Sequence, residues 1–130
     1  MGTVNSVAAP PRVLVVDDEP PVREILSVVV EREGWIADRA DDGKQAIERL
    51  EERTYDAVIL DLMMPHGDGI TVLGYMKSRG LTTPVVVVSA IANDRMQQLD
   101  STIVRVAMQK PFEIGELKVV LRAMIKARGA

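Results

Sequence analysis

Acidic side chains stand where two apolar runs of the sequence end. Asp17 and Asp18 follow the run VLVV, and Asp61 follows the run AVIL. Carboxylate oxygens without a histidine or a sulfur beside them suit a hard cation, and Mg²⁺ in particular. Three like charges brought close together would repel one another unless a counter-ion joined them. These residue types therefore predict a magnesium site, provided that the fold brings the two segments together.

Two further polar groups follow other apolar runs of the chain. Ser89 follows the run VVVV, and Lys110 precedes Pro111 after the last run. Phosphoryl transfer needs a cation, an ammonium and a hydroxyl, because the cations neutralise the phosphoryl oxygens and the hydroxyl donates a hydrogen bond. A lone carboxylate followed by a turn can attack phosphorus and form an acyl phosphate. Asp61 is the candidate nucleophile, and Ser89 and Lys110 are the groups that would assist it.

Each of these residues also has an ordinary structural interpretation. The acidic residues 17–19 could favour the positive end of a helix, and Asp61 could be a turn residue. Ser89 could cap the backbone, and Lys110 could be a solvated side chain. His66 is interpreted as a loop histidine, because the chain has no second histidine and no cysteine with which it could bind a metal. The shared position at the ends of apolar runs is what favours a functional site.

The composition limits the class of protein. The chain has 130 residues, of which 47% are hydrophobic and 27% charged, with no cysteine and a net charge of -3. One domain is expected, and a chain of this length can bury a core without a disulfide or zinc. Mild acidity and few aromatic residues argue against direct contact with nucleic acid. No apolar run approaches the roughly 20 residues that span a bilayer, and the start lacks a signal peptide, so no membrane contact and a cytoplasmic location are expected.

Apolar runs alternate with amphipathic stretches five times along the chain. This alternation is typical of an α/β protein with a parallel sheet that is covered by helices on both faces. The predicted strands are residues 13–16, 35–39, 57–60, 85–88 and 104–108. In such a doubly wound sheet, ligands bind outside the carboxyl ends of the strands. The acidic, serine and lysine positions are therefore expected to meet at one edge of the sheet.

Helical periodicity predicts the elements that cover the sheet. The first helix has an apolar stripe made of Val22, Ile25, Leu26 and Val29. Asp42 and Gln45 have the spacing of a capping box that starts a second helix, and a third begins after residues 67–69. The buried side of the second helix is predicted to carry Ala46, Ile47 and Leu50. The last helix has an apolar face made of Ile114, Leu117, Leu121, Met124 and Ile125. Residues 93–101 carry a weak stripe, so the fourth predicted helix is short.

Four segments of the chain, in this order and spacing, resemble the receiver domain of bacterial two-component response regulators. They are VLVVDDE at 13–19, AVILDLMMPHGDG at 57–69, VVVVSA at 85–90 and KPF at 110–112. The likeness covers nearly the whole chain and implies the flavodoxin-like receiver fold, with a five-stranded parallel sheet in 2-1-3-4-5 order. It implies a receiver domain over residues 12–128, and residues 1–11 before it are expected to form a flexible arm because chain ends are often poorly ordered.

The resemblance implies roles for the acidic residues. Asp61 matches the phosphoacceptor, which takes a phosphoryl group from a phosphohistidine on a histidine kinase or a histidine phosphotransfer protein. Asp17 and Asp18 match the metal-binding pair for Mg²⁺, which Mn²⁺ can replace. The backbone carbonyl of Met63 and the carboxylate of Asp61 complete the implied ligand set. The resemblance further implies that the protein is not an enzyme toward other substrates, and catalyses only its own phosphotransfer and dephosphorylation.

The resemblance also implies a switch. Ser89 matches the hydroxyl that moves to the phosphoryl group, and Lys110 matches its ion-pair partner, in a cis bond to Pro111. The family commonly has an aromatic residue in the last strand, where this chain has Ala107. The surface formed by the fourth helix, fifth strand and fifth helix is therefore expected to bind an unidentified downstream protein in an unusual way.

Other interpretations stay open at this point. A hydrolase resembling the haloacid dehalogenases would need an acid two residues after the nucleophile, where Met63 stands and can carry no proton. A flavodoxin-like electron carrier would need a phosphate cradle where the acidic segment DDEPP would repel phosphate. Within the receiver interpretation, the chain is either a free-standing regulator or a receiver trimmed from a larger transcription factor or hybrid kinase. The few residues after Arg128 favour the first.

Overall fold

A computed structural model describes residues 9–64, 69–90 and 99–129 of the chain. The strands are β1 (Arg12–Val16), β2 (Ile36–Ala40), β3 (Ala57–Leu60), β4 (Val85–Ser89) and β5 (Val104–Gln109). The helices of this described part are α1 (Pro20–Arg32), α2 (Gly43–Glu52), α3 (Gly69–Ser78) and α4 (Ile114–Gly129). Helix α4 is thus the last of the helices predicted from the sequence.

The five strands form one parallel sheet in the order β2-β1-β3-β4-β5. Every residue of the two strands β3 and β4 is buried. Their apolar, largely β-branched sequences suit this position, because a strand in the middle of a covered parallel sheet packs against helices with both faces. The predicted fold class and strand order are confirmed, and each predicted strand boundary lies within one residue of the observed one.

The sheet separates two apolar layers, because successive side chains of a strand point to opposite faces. Leu14 and Val16 of β1 belong to a cluster with side chains of α2 and α3. Val13 and Val15 belong to a second cluster, with side chains of α1 and α4. The helices therefore cover both faces, as the alternating pattern predicted, and the carboxyl ends of the strands stay free at one edge.

Two of the predicted helix stripes were wrong in part. Ile25 of α1 is 46% exposed and Ile114 of α4 is 44% exposed. Both side chains line a groove between α1 and α4 instead of the sheet. The buried residues of α1 are Leu26, Ser27, Val29 and Val30. The stripe prediction misplaced Ile25 and Ile114, because helical periodicity does not distinguish packing on a sheet from facing a neighbouring helix.

The predicted capping box of α2 is present in part. The backbone N–H of Gln45 donates to Oδ1 of Asp42 at 2.8 Å, and Oε1 of Gln45 accepts from the backbone N–H of Asp41 at 3.0 Å. The second bond goes one residue further back than the standard box, to the residue before the cap. Ala46 and Leu50 are buried and Ile47 is half-buried. The sequence therefore predicted both the start and the inner face of α2.

Some sequence predictions lie outside the described residues. These are His66, most of the fourth predicted helix and most of the predicted arm. At the start of the described chain, the carbonyl of Pro11 accepts a hydrogen bond from Ile36 N–H at 2.9 Å. No helix in the described part of the chain combines the length and apolarity needed to cross a membrane.

Candidate functional site

The pairing of β1 with β3 places two aspartates side by side. Val16 and Leu60 are partners in the ladder, and the next residues along the two strands are Asp17 and Asp61. The ladder continues one step, since the N–H of Asp61 donates to the carbonyl of Val16 at 3.0 Å. Both side chains therefore leave the sheet at its carboxyl edge, from neighbouring strands.

Three carboxylates converge at this edge. One oxygen from each of Asp17, Asp18 and Asp61 lies within 4.8 Å of the others. Asp17 is 0% exposed and Asp61 is 3% exposed, whereas Asp18 is half-buried. An all-oxygen donor set of this size fits a hard divalent cation, which needs a few carboxylates and keeps water on its remaining positions. The cluster predicted from the sequence is therefore present as a geometric unit.

Lys110 joins the carboxylates from the other side of the site. Its Nζ donates to Oδ2 of Asp17 at 2.9 Å, to Oε1 of Glu19 at 3.2 Å and to Oδ2 of Asp61 at 3.3 Å. Lys110 follows β5 and has the cis bond to Pro111 that the resemblance implied. One ammonium thus links the ends of β1, β3 and β5, which are far apart in the sequence.

Backbone hydrogen bonds fix the two buried aspartates. The N–H of Met63 donates to Oδ1 of Asp61 at 3.0 Å, and the N–H of Glu19 donates to Oδ1 of Asp17 at 2.9 Å. The guanidinium of Arg23 donates to the carbonyl of Asp17 at 2.8 Å. Each buried carboxylate therefore keeps one oxygen on a backbone donor, while its other oxygen faces Lys110. The side chain of Met63 is exposed.

The site shifts the pKa of its charged groups in ways that follow from burial and pairing. Burial raises the pKa of Asp17, and the hydrogen bonds from Glu19 N–H and Lys110 oppose this rise only in part. Burial would lower the pKa of Lys110, but the bond to Asp17 and the charges of Asp17 and Asp61 outweigh it, so the pKa is raised. Lys110 is therefore an ammonium throughout the neutral range.

Ser89 reaches the same edge from β4. It is fully buried at the end of the strand, and its carbonyl accepts a hydrogen bond from the N–H of Lys110 at 2.8 Å. The last ladder pair of β4 and β5 is Ser89 with Gln109. The two residues with switch roles implied by the resemblance are thus connected directly through their backbones.

Three further residues shape the site, and the sequence assigned no role in it to any of them. Glu19 contacts Lys110, and Arg23 holds the carbonyl of Asp17. Gly69 lies so close to β3 that a Cβ atom there would sit 2.5 Å from the carbonyl oxygen of Asp61. The available signals were a glutamate directly before two prolines and a glycine at the end of the segment MMPHGDG, and neither signal identifies the contact that the residue makes.

Comparison with known proteins identifies the family. The sequence model of the response regulator receiver domain family matches residues 13–122, which is most of the chain. The chain belongs to the response regulator receiver domain family. It is therefore a receiver domain of two-component signalling, and the hydrolase and electron-carrier interpretations have no comparable support.

Curated relatives of this receiver domain include bacterial transcriptional regulators. It is 36% identical over 115 residues to the transcriptional regulatory protein TcrA of Mycobacterium tuberculosis, covering 87% of this chain and 45% of TcrA. It is 35% identical over 119 residues to the response regulator MprA of Mycolicibacterium vanbaalenii, covering 90% of this chain and 51% of MprA. The chain therefore spans about half the length of the curated relatives that it matches.

Solved structures of similar shape include response regulators. The response regulator TrrA of Thermotoga maritima, in complex with Mg²⁺-BeF, has a TM-score of 0.78 and 32% identity, covering 88% of this chain and 98% of that one. The receiver domain of a Francisella response regulator has a TM-score of 0.81 and 30% identity, covering 90% and 98%. Receiver domains bind Mg²⁺ at an acidic pocket and are not classical enzymes.

Proposed function

We propose that Asp61 of this receiver domain accepts a phosphoryl group from a phosphohistidine on a histidine kinase or a histidine phosphotransfer protein. Asp17, Asp18, Asp61 and the backbone carbonyl of Met63 would hold Mg²⁺, or Mn²⁺ in its place. The observation that carries this proposal is the convergence of three carboxylates and one ammonium at one edge of the sheet. A divalent cation would bring the formal charge of the three aspartates and Lys110 from -2 to zero, which prepares the site for an incoming anion.

The transfer reaction balances with the groups present. A carboxylate oxygen of Asp61 attacks phosphorus, the bond from phosphorus to the donor imidazole breaks, and its electron pair stays on the imidazole nitrogen, which takes up a proton from solvent. Bound Mg²⁺ supplies neutralisation of the phosphoryl oxygens. Lys110 pairs with the phosphoryl group, and the hydroxyl of Ser89 donates to it. Later attack of water on phosphorus breaks the bond to the Asp61 carboxylate and releases inorganic phosphate, so the domain turns over only its own phosphoryl group.

Phosphorylation at this site would act as a population switch between two surface conformations. Moving an equilibrium from about 1:99 to 99:1 takes about 5.5 kcal/mol of differential stabilisation. Charge-assisted bonds from Ser89 and Lys110 could supply roughly 3 to 6 kcal/mol between them. Only the upper end of this range reaches the required value, and the last strand carries Ala107 in place of the family's aromatic residue, so we expect the domain to switch only partially until a partner binds.

The downstream partner would be a protein that binds the surface made by the fourth predicted helix, β5 and α4. Arg105 and Ala107 of β5 and Val119 of α4 are exposed. The fourth predicted helix itself lies mostly outside the described residues. We place the domain in the cytoplasm, with the phosphodonor protein, and propose no direct contact with nucleic acid or membrane.

Intact-mass measurement after incubation with Mg²⁺ and acetyl phosphate tests the site assignment. The wild type should gain one phosphoryl group, and Asp61→Asn should gain none. Asp100→Asn is a matched control, because Asp100 lies far from the site. Its backbone carbonyl accepts a hydrogen bond from the N–H of Val104, the first residue of β5, whereas Lys110 follows the other end of that strand. It should be phosphorylated like the wild type. Uptake that survives Asp61→Asn would overturn the assignment.

A further inference from the structure

We propose that Glu19 is a positioning residue that holds Lys110 at the rim of the site and opposes phosphoryl uptake. The inference rests on the proposed function, since it concerns the charge that Asp61 gains on phosphorylation. It assigns to Glu19 two opposite effects. Its carboxylate should favour binding of the cation and disfavour binding of the phosphoryl anion.

The geometry places Glu19 outside the metal cluster but on the lysine. Nζ of Lys110 is 3.2 Å from Oε1 of Glu19, compared with 2.9 Å to Asp17 and 3.3 Å to Asp61. The described carboxylates whose oxygens converge within 4.8 Å are Asp17, Asp18 and Asp61, and Glu19 is not one of them. The Glu19 side chain is 59% exposed, whereas that of Lys110 is 17% exposed. Glu19 therefore reaches the ammonium from the solvent side.

The local sequence leaves the Glu19 carboxylate available for this contact. Glu19 is the N-cap residue of α1, yet its side chain makes no capping hydrogen bond in the described structure. Pro20 and Pro21 follow it, and proline has no N–H to be capped, so α1 begins with few unsatisfied donors. By contrast, the N-cap Asp42 of α2 accepts from Gln45 N–H at 2.8 Å. The Glu19 carboxylate therefore does not cap α1 and is available to contact Lys110.

Loading the site changes which partners Lys110 can keep. A cation bound by Asp17 and Asp61 would compete for the carboxylate oxygens that Lys110 now contacts. Glu19 lies outside that cluster and would remain as a carboxylate partner of the ammonium. A phosphoryl group on Asp61 would then compete with Glu19 for Lys110. The Glu19 carboxylate also adds one negative charge near the site, which attracts Mg²⁺ and repels an anion.

Removal of this charge should therefore move two affinities in opposite directions. We expect Glu19→Gln to weaken Mg²⁺ binding by roughly threefold to tenfold, because the Glu19 side chain is exposed and solvent screens its charge. We expect the same variant to bind beryllofluoride more tightly, by a similar factor, when Mg²⁺ is saturating. A purely structural role in α1 would weaken both or neither.

The experiment uses isothermal titration calorimetry on the whole chain. Mg²⁺ is titrated into metal-free protein, and beryllofluoride is titrated into protein saturated with Mg²⁺. Glu24→Gln is the matched control, because it removes the same charge from the same helix, where Glu24 contacts Arg39 and not the site. Its two affinities should equal those of the wild type. Urea unfolding of all variants shows that each one is folded.

The outcomes separate this inference from the proposed function. If the wild type and Asp61→Asn bind beryllofluoride alike, the assignment of Asp61 fails, and the inference fails with it. If Asp61→Asn abolishes binding but Glu19→Gln leaves both affinities unchanged, the inference alone is overturned. Parallel shifts in both affinities, or equal shifts in Glu24→Gln, would overturn it as well. Only opposite shifts confined to Glu19→Gln support it.

Discussion

At the scale of single residues, Lys110 is the group on which the charge balance depends. Asp17 and Asp61 are buried at the carboxyl edge of the sheet, and the Lys110 ammonium contacts both carboxylates. A buried carboxylate without a partner is costly, because little water remains to solvate it. The same lysine therefore serves the stability of the resting domain as well as the proposed phosphoryl site.

Lys110→Met tests this stabilising role. In the absence of metal, we expect the free energy of unfolding to fall by roughly 1 to 3 kcal/mol, because Asp17 loses its charged hydrogen bond. Mg²⁺ should recover part of the loss, since it binds the folded carboxylates and not the unfolded chain. Urea unfolding with and without Mg²⁺ measures both effects. Lys126→Met, an exposed change on α4, should leave the unfolding free energy near that of the wild type.

Tyr55 gives a prediction about alkaline pH. Its hydroxyl donates to Oδ2 of Asp38 at 2.7 Å, and burial followed by the Asp38 carboxylate raises the pKa of Tyr55 above its ordinary value of 10.0. The neutral phenol is favoured in the folded state. Its contribution to stability is therefore complete below the ordinary pKa and is lost as the pH rises above it.

The ultraviolet absorbance of tyrosinate measures this effect. In a Tyr75→Phe background, Tyr55 is the sole tyrosine, since the chain has 2. The absorbance should rise together with alkaline unfolding as followed by circular dichroism. In the same background, the Tyr55 hydroxyl of the Asp38→Asn variant should ionise at lower pH, because the neighbouring negative charge is gone. Ionisation of Tyr55 near pH 10.0 in a fully folded protein would contradict the expectation.

At the scale of elements, the start of α3 must approach the end of β3 very closely. The N–H of Gly69 donates to the carbonyl of Leu62 at 3.2 Å, and a Cβ at position 69 would overlap backbone atoms of Asp61 and Leu62. Within the same helix and among described atoms, a Cβ at Gly74 would meet nothing within 4 Å. The two glycines thus have different structural demands.

Alanine at each of these glycines should have opposite consequences. We expect Gly69→Ala to lower the free energy of unfolding by about 1 to 3 kcal/mol, because backbone must move to admit the methyl group. Gly74→Ala should leave it unchanged or raise it by up to about 1 kcal/mol, through the better helix propensity of alanine. Thermal unfolding compares them directly. Equal effects of the two changes would show that the close approach is not limiting.

An ion pair with two hydrogen bonds joins the C-cap of α1 to the middle of α4. Nε and Nη2 of Arg122 donate to the Glu33 carboxylate at 2.6 and 2.7 Å. This bonding lowers the pKa of Glu33 below its ordinary value of 4.5. A lowered carboxyl pKa contributes stability above the ordinary value, and that contribution is lost as the pH falls through the lowered pKa.

Arg122→Gln should therefore remove part of the loss of thermal stability that acid pH causes. We expect the midpoint temperature of the variant to fall below that of the wild type near neutral pH, and the difference to shrink on the acid side of pH 4.5. Calorimetry over a pH series measures the difference. Lys126→Gln removes a positive charge from the same helix and should give a difference that does not depend on pH in this range. A constant difference for Arg122→Gln would contradict the assignment.

The elements were the most predictable part of the structure. Strands β1, β3 and β4 are apolar runs bounded by polar or turn residues, and α2 begins at a capping box, so local chemistry marks their limits. The inner faces of α1 and α4 were less predictable. Ile25 and Ile114 face the groove between the two helices, and a single-helix pattern contains no information about a neighbouring helix.

At the scale of the whole molecule, the parallel sheet explains why the site could be anticipated. Every strand ends at the same edge, so Asp17, Asp61, Ser89 and Lys110 were expected to meet there, and they do. The contact of Glu19 with Lys110 could not be anticipated in this way. It joins residues 91 positions apart and depends on the direction of two long side chains, which strand order does not determine.

The proposed domain limits, residues 12–128, lead to a prediction for the whole chain. Deletion of residues 1–8 should leave the free energy of unfolding and phosphoryl uptake unchanged, because all described strands and helices begin at Arg12 or later. The deletion ends before Pro11, whose carbonyl pairs with Ile36. Urea unfolding and intact-mass measurement with acetyl phosphate compare the two chains. A lower unfolding midpoint in the shortened chain would show that the domain begins earlier.

The position of β4 has a consequence for biosynthesis. Its residues Val85–Ser89 are all buried, and the strand pairs with β3 on one side and β5 on the other. Of the five strands, β5 is synthesised last, so one edge of this uncharged valine run stays open until the chain has grown past residue 109. An open edge of β-branched residues is a template for pairing with other chains. Nascent chains that stall between the two strands are therefore the ones most exposed to aggregation, and prompt docking of β5 protects the rest.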